Sequence, residues 1–88
     1  VINFPVSFTP NGDNLNDVWF PKYAGLIKIQ SVEVYSRWGG LVWSGSVSGW
    51  NGTLPDGSDA PIDVYTFKAA YYRGGLPEVR IGSVTLIR

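Results

Sequence analysis

Histidine and cysteine are both missing from this 88-residue chain. Without imidazole there is no general base of the commonest kind and no histidine metal ligand. Without thiol there is no cysteine nucleophile, no disulfide, and no thiolate for zinc or an iron–sulfur cluster. Net charge is missing as well: seven Lys and Arg balance seven Asp and Glu, so no global field draws in nucleic acid or an anionic membrane. No apolar run exceeds a handful of residues, far short of the roughly 20 that a membrane-spanning helix needs. The absence of cysteine leaves the compartment open but excludes a disulfide-stapled scaffold. The chain starts at Val1 with no basic stretch leading into an apolar core, so no export signal stands at this end, and a piece of a longer or processed protein is expected.

What is present is apolar and aromatic. Hydrophobic residues make up 44% and charged residues 16%, a balance that disordered tails do not have. There is room for one domain, residues 1–88. A domain of this size buries only about 60–65% of its unfolded surface. Eleven Gly, six Pro, four Trp, five Tyr and four Phe suit short strands, many turns and an aromatic core.

Alternation locates two hairpins. In residues 31–36, Val32 and Val34 fall on one face and Glu33 and Tyr35 on the other. Gly39-Gly40 then supplies two residues able to take positive φ, as a primed two-residue turn requires, and Leu41-Val42-Trp43 returns. Val42 and Trp43 have opposite parity, so one of them is expected to face out. In residues 63–88, Tyr65, Phe67, Ala69 and Tyr71 share a face, Gly74-Gly75 begins the turn, and Val79 starts the return strand. Val79 and Ile81 have one parity, Val84 and Leu86 the other, and a bulge at Gly82-Ser83 is predicted to restore the face. Short strands are expected near residues 2–4, 18–20 and 26–29, whereas residues 46–62, dense in Gly, Pro, Asn and Asp, read as loop. No stretch shows capped helical periodicity. About seven short strands with frequent turns predict an all-β fold, an immunoglobulin-like antiparallel β-sandwich.

Three constellations bear on chemistry. In residues 9–17 the side-chain oxygens of Asn11, Asp13 and Asp17, with a backbone carbonyl near Leu15 and a bend at Gly12, resemble a loop that gathers calcium. The bidentate Glu of such a loop is missing, and Asn and Asp bonding their own backbone in Asx-turns accounts for the same residues. Trp19, Trp38, Trp43 and Trp50, with Arg37 beside Trp38, form either a stacking surface for sugars or the filling of a small core. Asn51-Gly52-Thr53 fits a glycosylation acceptor, but an Asn-Gly turn explains it without a glycan. Asp56, Asp59 and Asp63 read as a solvated turn region, and no enzyme is expected where serines have no histidine to activate them.

The motifs in order say more. Phe8-Thr9-Pro10-Asn11-Gly12-Asp13 is followed by Asn16-Asp17, then Tyr35-Ser36-Arg37-Trp38-Gly39, Trp50-Asn51-Gly52, Val64-Tyr65 and finally Thr85-Leu86-Ile87-Arg88. Across essentially its whole length the chain resembles the gliding motility-associated C-terminal domain, the type B sorting domain of the type IX secretion system. It departs from that pattern at Asn51, where Asp is typical, at Asn14, where Gly is common, and before Val64-Tyr65, where a Gly is usual. The resemblance implies a non-catalytic C-terminal address that directs a larger N-terminal cargo across the outer membrane to the cell surface or the medium. Its implied partners are the type IX translocon and a PorP/SprF-like outer-membrane protein. The matched positions carry mixed roles: Gly12, Gly39 and Gly52 in turns; Tyr35 and Trp50 in the core or around the hairpin; Arg37 in recognition or in an ion pair with Asp13 or Asp17. A final strand ending in Leu86-Ile87-Arg88 would offer an edge for β-augmentation. Two further readings stay open: a calcium-stabilised or Trp-mediated glycan-binding module of a surface protein, and a spacer whose deletion changes neither export nor binding.

Overall fold

The computed structural model describes residues 2–10, 17–46 and 48–88. These form strands β1 (Ile2–Asn3), β2 (Ser7–Phe8), β3 (Lys22–Tyr23), β4 (Ile27–Tyr35), β5 (Leu41–Gly45), β6 (Asp63–Arg73) and β7 (Leu76–Leu86), with no helix among the described residues. One sheet has the order β2-β7-β6-β4-β5, with β2 parallel to β7 and the other pairs antiparallel; β1 and β3 form a second, two-stranded sheet. The first strand therefore splits at Pro5-Val6, giving its start to one sheet and its end to the other. Beside it, four mutually antiparallel strands, β7-β6-β4-β5, follow the G-F-C-C′ order of an immunoglobulin-like sandwich. Tyr65, near the start of β6, donates its hydroxyl to Pro61 O at 2.7 Å, the corner bond of that architecture.

Both hairpins form. β6 and β7 join through Gly74-Gly75, at φ 57° and 86°, the backbone of a primed turn whose twist matches the strands it links. The β4–β5 connection differs from expectation. It spans residues 36–40, Gly40 O accepts Ser36 N–H at 2.8 Å, and of the Gly39-Gly40 pair only Gly39 has positive φ, at 89°.

Parity switches resolve in opposite ways. The pairing of β6 with β7 runs from Asp63↔Leu86 to Arg73↔Leu76 without a slip, so the predicted bulge at Gly82-Ser83 does not exist. Gly82 serves space instead: a Cβ there would lie 2.7 Å from Phe67 Cζ, and with no side chain the strand lets the Phe67 ring lie against it. Val79 and Ile81 consequently stay on the outer face of the sheet. Register does slip between Ile29 and Ser31 in β4, and again where Val34↔Trp43 gives way to Tyr35↔Leu41. The first slip brings Ile27 and Ile29 to the face of Val32 and Val34. The second makes Val42 the extra residue, so Val42 is buried and Trp43 also packs against the core; neither simply faces out.

The core lies between the two sheets. Trp19 and Trp50 are fully buried at its centre and bridge each other through reciprocal backbone bonds of 2.8 and 2.9 Å. Their indole N–H groups donate to Pro5 O at 2.8 Å and Thr53 O at 2.9 Å. Hiding an indole of roughly 200 Å² supplies on the order of 5 kcal/mol as an upper bound, realised only because the polar tip finds an acceptor. Phe67 continues the aromatic stack, 5.1 Å from Trp19 and 4.7 Å from Phe4.

Candidate functional site

Most of the motif residues meet at one pole of the sandwich, where β2 and β7 end and β6 begins. Phe8 and Trp50 lie 5.2 Å apart between ring centroids, and Tyr65 meets Trp50 edge-on at 5.0 Å. Leu86 is buried among them. Pro10 packs so closely on Gly52, whose φ is 84°, that a Cβ at Gly52 would stand 2.7 Å from Pro10 Cγ. Over this plug closes Arg88. Its Nη2 donates to Ala60 O at 2.8 Å and Gly52 O at 2.9 Å, its Nε to Ala60 O at 3.3 Å, and its Nη1 to Pro10 O at 3.2 Å. One planar fork thus ties the chain leaving β2, the loop around 52–60 and the end of β7 together, a task suited to five donors in fixed geometry. Burial pushes the Tyr65 phenol above its usual 10.0; the Asp63 charge adds to the rise and the Arg88 charge opposes it.

The β4–β5 tip projects from the same pole. Ser36 Oγ accepts the Trp38 and Gly40 N–H groups, each at 3.3 Å, which holds the tip in shape without burying it. Trp38 is 88% exposed. The Arg37 guanidinium lies 5.8 Å from the Trp38 ring centroid, and its Nη1 lies 3.7 Å from Asp63 Oδ1. Tyr35, at the base of the tip, is half-buried. Asp63 was not foreseen as the partner of Arg37. Its carboxylate also accepts Val64 N–H at 2.7 Å. Asp56 accepts the N–H and hydroxyl of Ser58 at 2.9 and 2.6 Å, bonds that hold its carboxyl below the usual range. These carboxylates are thus engaged in turn and ion-pair bonds, as a solvated turn region requires.

Asn11, Gly12, Asp13 and Asn16 lie outside the described residues. Of the three candidate calcium ligands only Asp17 is described, and no group of three or more acidic side chains gathers among the described residues. Among the tryptophans, Trp19 and Trp50 are buried, Trp43 is half-buried, and Trp38 alone is exposed.

The end of β7 is not a free edge. Thr85 N–H donates to Val6 O at 2.9 Å and Ile87 N–H to Phe8 O at 3.0 Å, so β2 covers the very residues from which an open edge was expected, and Arg88 is held by its own bonds.

A family model for the CHU_C type IX secretion signal domain matches residues 2–86. The chain belongs to that family. No curated protein and no solved structure matches it. A CHU_C domain has the role of a sorting signal, which implies recognition by the type IX system, a larger cargo to carry, and export to the cell surface or beyond.

For this CHU_C domain, sequence reasoning identified the pole residues and expected Trp50 in the core or around the hairpin, but gave Phe8, Tyr65 and Leu86 only as motif or edge residues. Phe8, Trp50, Tyr65 and Leu86 belong to the core. Missing from the sequence reading were the acceptors Ala60 O and Pro10 O, the ion partner Asp63, and the exposed pair Val79 and Ile81. Backbone acceptors carry no signal in residue identity. The parity of Val79 and Ile81 did carry one, but it was assigned to a bulge.

Proposed function

We propose that this domain is a non-catalytic C-terminal address: it delivers a larger N-terminal cargo through the periplasm to a type IX translocon, docks on a PorP/SprF-like outer-membrane protein, and leaves the cargo at the cell surface or in the medium. The family match over residues 2–86 carries this reading. The geometry fits it, because the motif residues build a rigid pole and a fixed hairpin tip rather than a cleft with converging reactive groups. The glycan-binding alternative needs a platform of exposed indoles, and among the described residues Trp38 is the one tryptophan in solvent. A spacer would be indifferent to the translocon.

The test is a fusion of residues 1–88 behind a folded fluorescent reporter that carries an inner-membrane export signal, expressed in a host with a working type IX system and the cognate outer-membrane partner. Translocon-dependent fluorescence at the surface or in the medium is expected. Periplasmic retention of the folded fusion would refute the proposal and restore the binding-module reading.

A further inference from the structure

β2 covers β7 only at Thr85 and Leu86, because Pro5 turns the preceding chain away into the other sheet, where its carbonyl accepts the Trp19 indole N–H. On the side away from β6, residues 76–83 of β7 are left with no strand beside them among the described residues. The orientation of the open groups follows from the bonds already made. Thr85 and Ile87 direct their N–H groups to β2, and backbone groups alternate sides along a strand. Val79, Ile81 and Ser83 therefore turn both N–H and C=O to the open side, while the even-numbered residues serve the ladder to β6. Pro77 has the same outward parity and contributes a carbonyl alone, a placement that costs the sheet no hydrogen bond.

The outer face of the same stretch is apolar, while Glu78 and Arg80 lie on the inner face. Val79 is 59% and Ile81 67% exposed. On the inner side, a groove of about 310 Å³ opens between β1 and β7, lined by Phe4, Val6, Phe67, Arg80 and Gly82 among others. The Arg80 guanidinium lies 5.5 Å from the Phe4 ring centroid, and no carboxylate among the described residues pairs with it.

From these observations we infer that the open edge of β7, residues 77–83, is a docking strand for an extended segment of the outer-membrane partner. Unpaired ladder groups specify a β-strand as the occupant, and β2 already holds the adjoining part of this edge in parallel pairing. The segment continues that line. It sets apolar side chains over Val79 and Ile81 on alternate positions and an acidic side chain into the groove opposite Arg80, where the positive charge has no carboxylate partner among the described residues. The inference rests on the sorting reading and specifies the surface that is read.

Ile81→Pro tests it, because it deletes an N–H that faces the open edge and leaves the β6 ladder intact, as Pro77 already does. Val79→Lys with Ile81→Lys is the second variant, which keeps the backbone and blocks strand addition by charge. Leu26→Lys, exposed but off this edge, is the control. In the reporter-fusion host, wild type and Leu26→Lys are exported, while Ile81→Pro and the double-lysine variant, with melting midpoints near that of wild type, lose about tenfold or more of exported signal. If Ile81→Pro unfolds, the lysine pair decides alone. Folded variants exported as well as wild type would overturn the docking strand while leaving the sorting reading intact. A wild-type fusion that is not exported would overturn both. A wild-type domain that sediments as a dimer, and as a monomer once Ile81→Pro is made, would assign the edge to a second copy and overturn the partner segment.

Discussion

Removing the Arg88 side chain should cost this domain a large share of its stability. In Arg88→Ala the carbonyls of Ala60, Gly52 and Pro10 lose their guanidinium donors. Gly52 O keeps Ala60 N–H as a donor at 2.8 Å, so the main loss falls on Ala60 O, which accepts from both Nε and Nη2 beside a buried residue. Bonds from a charged donor are worth about 1.5–3 kcal/mol each when little water can replace them. Arg88 itself is exposed, so water recovers part, and a net loss of about 2–4 kcal/mol is expected. Domains hold about 0.05–0.15 kcal/mol per residue, or about 4–13 kcal/mol for 88 residues, so that loss is about a third of the whole at mid-range. It lowers the melting midpoint by roughly 10–25 °C, on the scale for domains of this size. The assay is thermal unfolding followed by near-ultraviolet circular dichroism, which reports the packing of Trp19 and Trp50. Arg88→Lys should recover less than half, because one ammonium cannot reach the three carbonyls that the planar fork spans. The Tyr65 phenol should titrate still higher in Arg88→Ala, since the opposing positive charge is gone. A midpoint within 3 °C or so of wild type would refute the clasp.

Gly82→Ala forces a methyl to within 2.7 Å of the Phe67 ring and should destabilise by about 1–3 kcal/mol in urea unfolding, with partial rescue by Phe67→Leu. Tyr65→Phe loses the bond to Pro61 O and about 0.5–1.5 kcal/mol at neutral pH. The raised phenol pKa favours the neutral, folded form, so wild type keeps that stability below pH 10.0 and loses it as pH climbs from there towards the folded pKa. Chemical denaturation at pH 7 and at high pH should therefore show the gap between the two proteins narrowing. Trp38→Ala should change stability by no more than about 0.5–1 kcal/mol, the scale of an exposed cation–π contact, since little else touches the ring. Residues 9–17 supply two carboxylates and lack the bidentate glutamate of a calcium loop; EDTA should leave the melting midpoint unmoved, and a calcium-dependent rise would restore the cation reading.

The legible part of the fold was the part set by local alternation. Tyr65, Phe67, Ala69 and Tyr71 are all buried, and their parity alone placed β6, the strand on which the larger sheet is built. Short strands were harder: two-residue pieces such as β1 and β3 carry too few residues for a period, and the expected strand at 18–20 reduces to one bridge at Trp19, with β3 following at Lys22–Tyr23. Bulges were illegible because a parity switch has more than one physical cause. At Gln30 the extra residue exists and keeps Ile27 and Ile29 on the core side. At Gly82 the switch marks a face with nothing over it, together with a glycine that makes room for Phe67. Sequence parity cannot distinguish these cases, because the difference lies in what covers the strand.

The motif that placed the chain in its family is largely a record of how the pole is built. Phe8, Pro10, Trp50, Gly52, Tyr65, Leu86 and Arg88 touch one another or bond to one another's backbone, and side chains committed to such contacts are not free to meet a partner without unfolding. Recognition in the folded state must therefore draw on residues that the packing leaves over. Among the described motif residues these are chiefly Arg37, Trp38 and Gly39 at the hairpin tip, together with Ile87. Outside the motif several apolar side chains are exposed, among them Val6, Leu26, Ile62 and Leu76, but Val79 and Ile81 are the two that stand side by side on the open edge of β7. The tip offers one indole and a guanidinium partly neutralised by Asp63, whereas the edge offers an open ladder, two apolar side chains and a cation with no carboxylate beside it among the described residues. Of the two, only the edge specifies the backbone conformation of what must bind. A contact of that kind rests on main-chain pairing, which demands little of the side chains on either strand and so leaves a sorting signal's sequence free to vary at the edge.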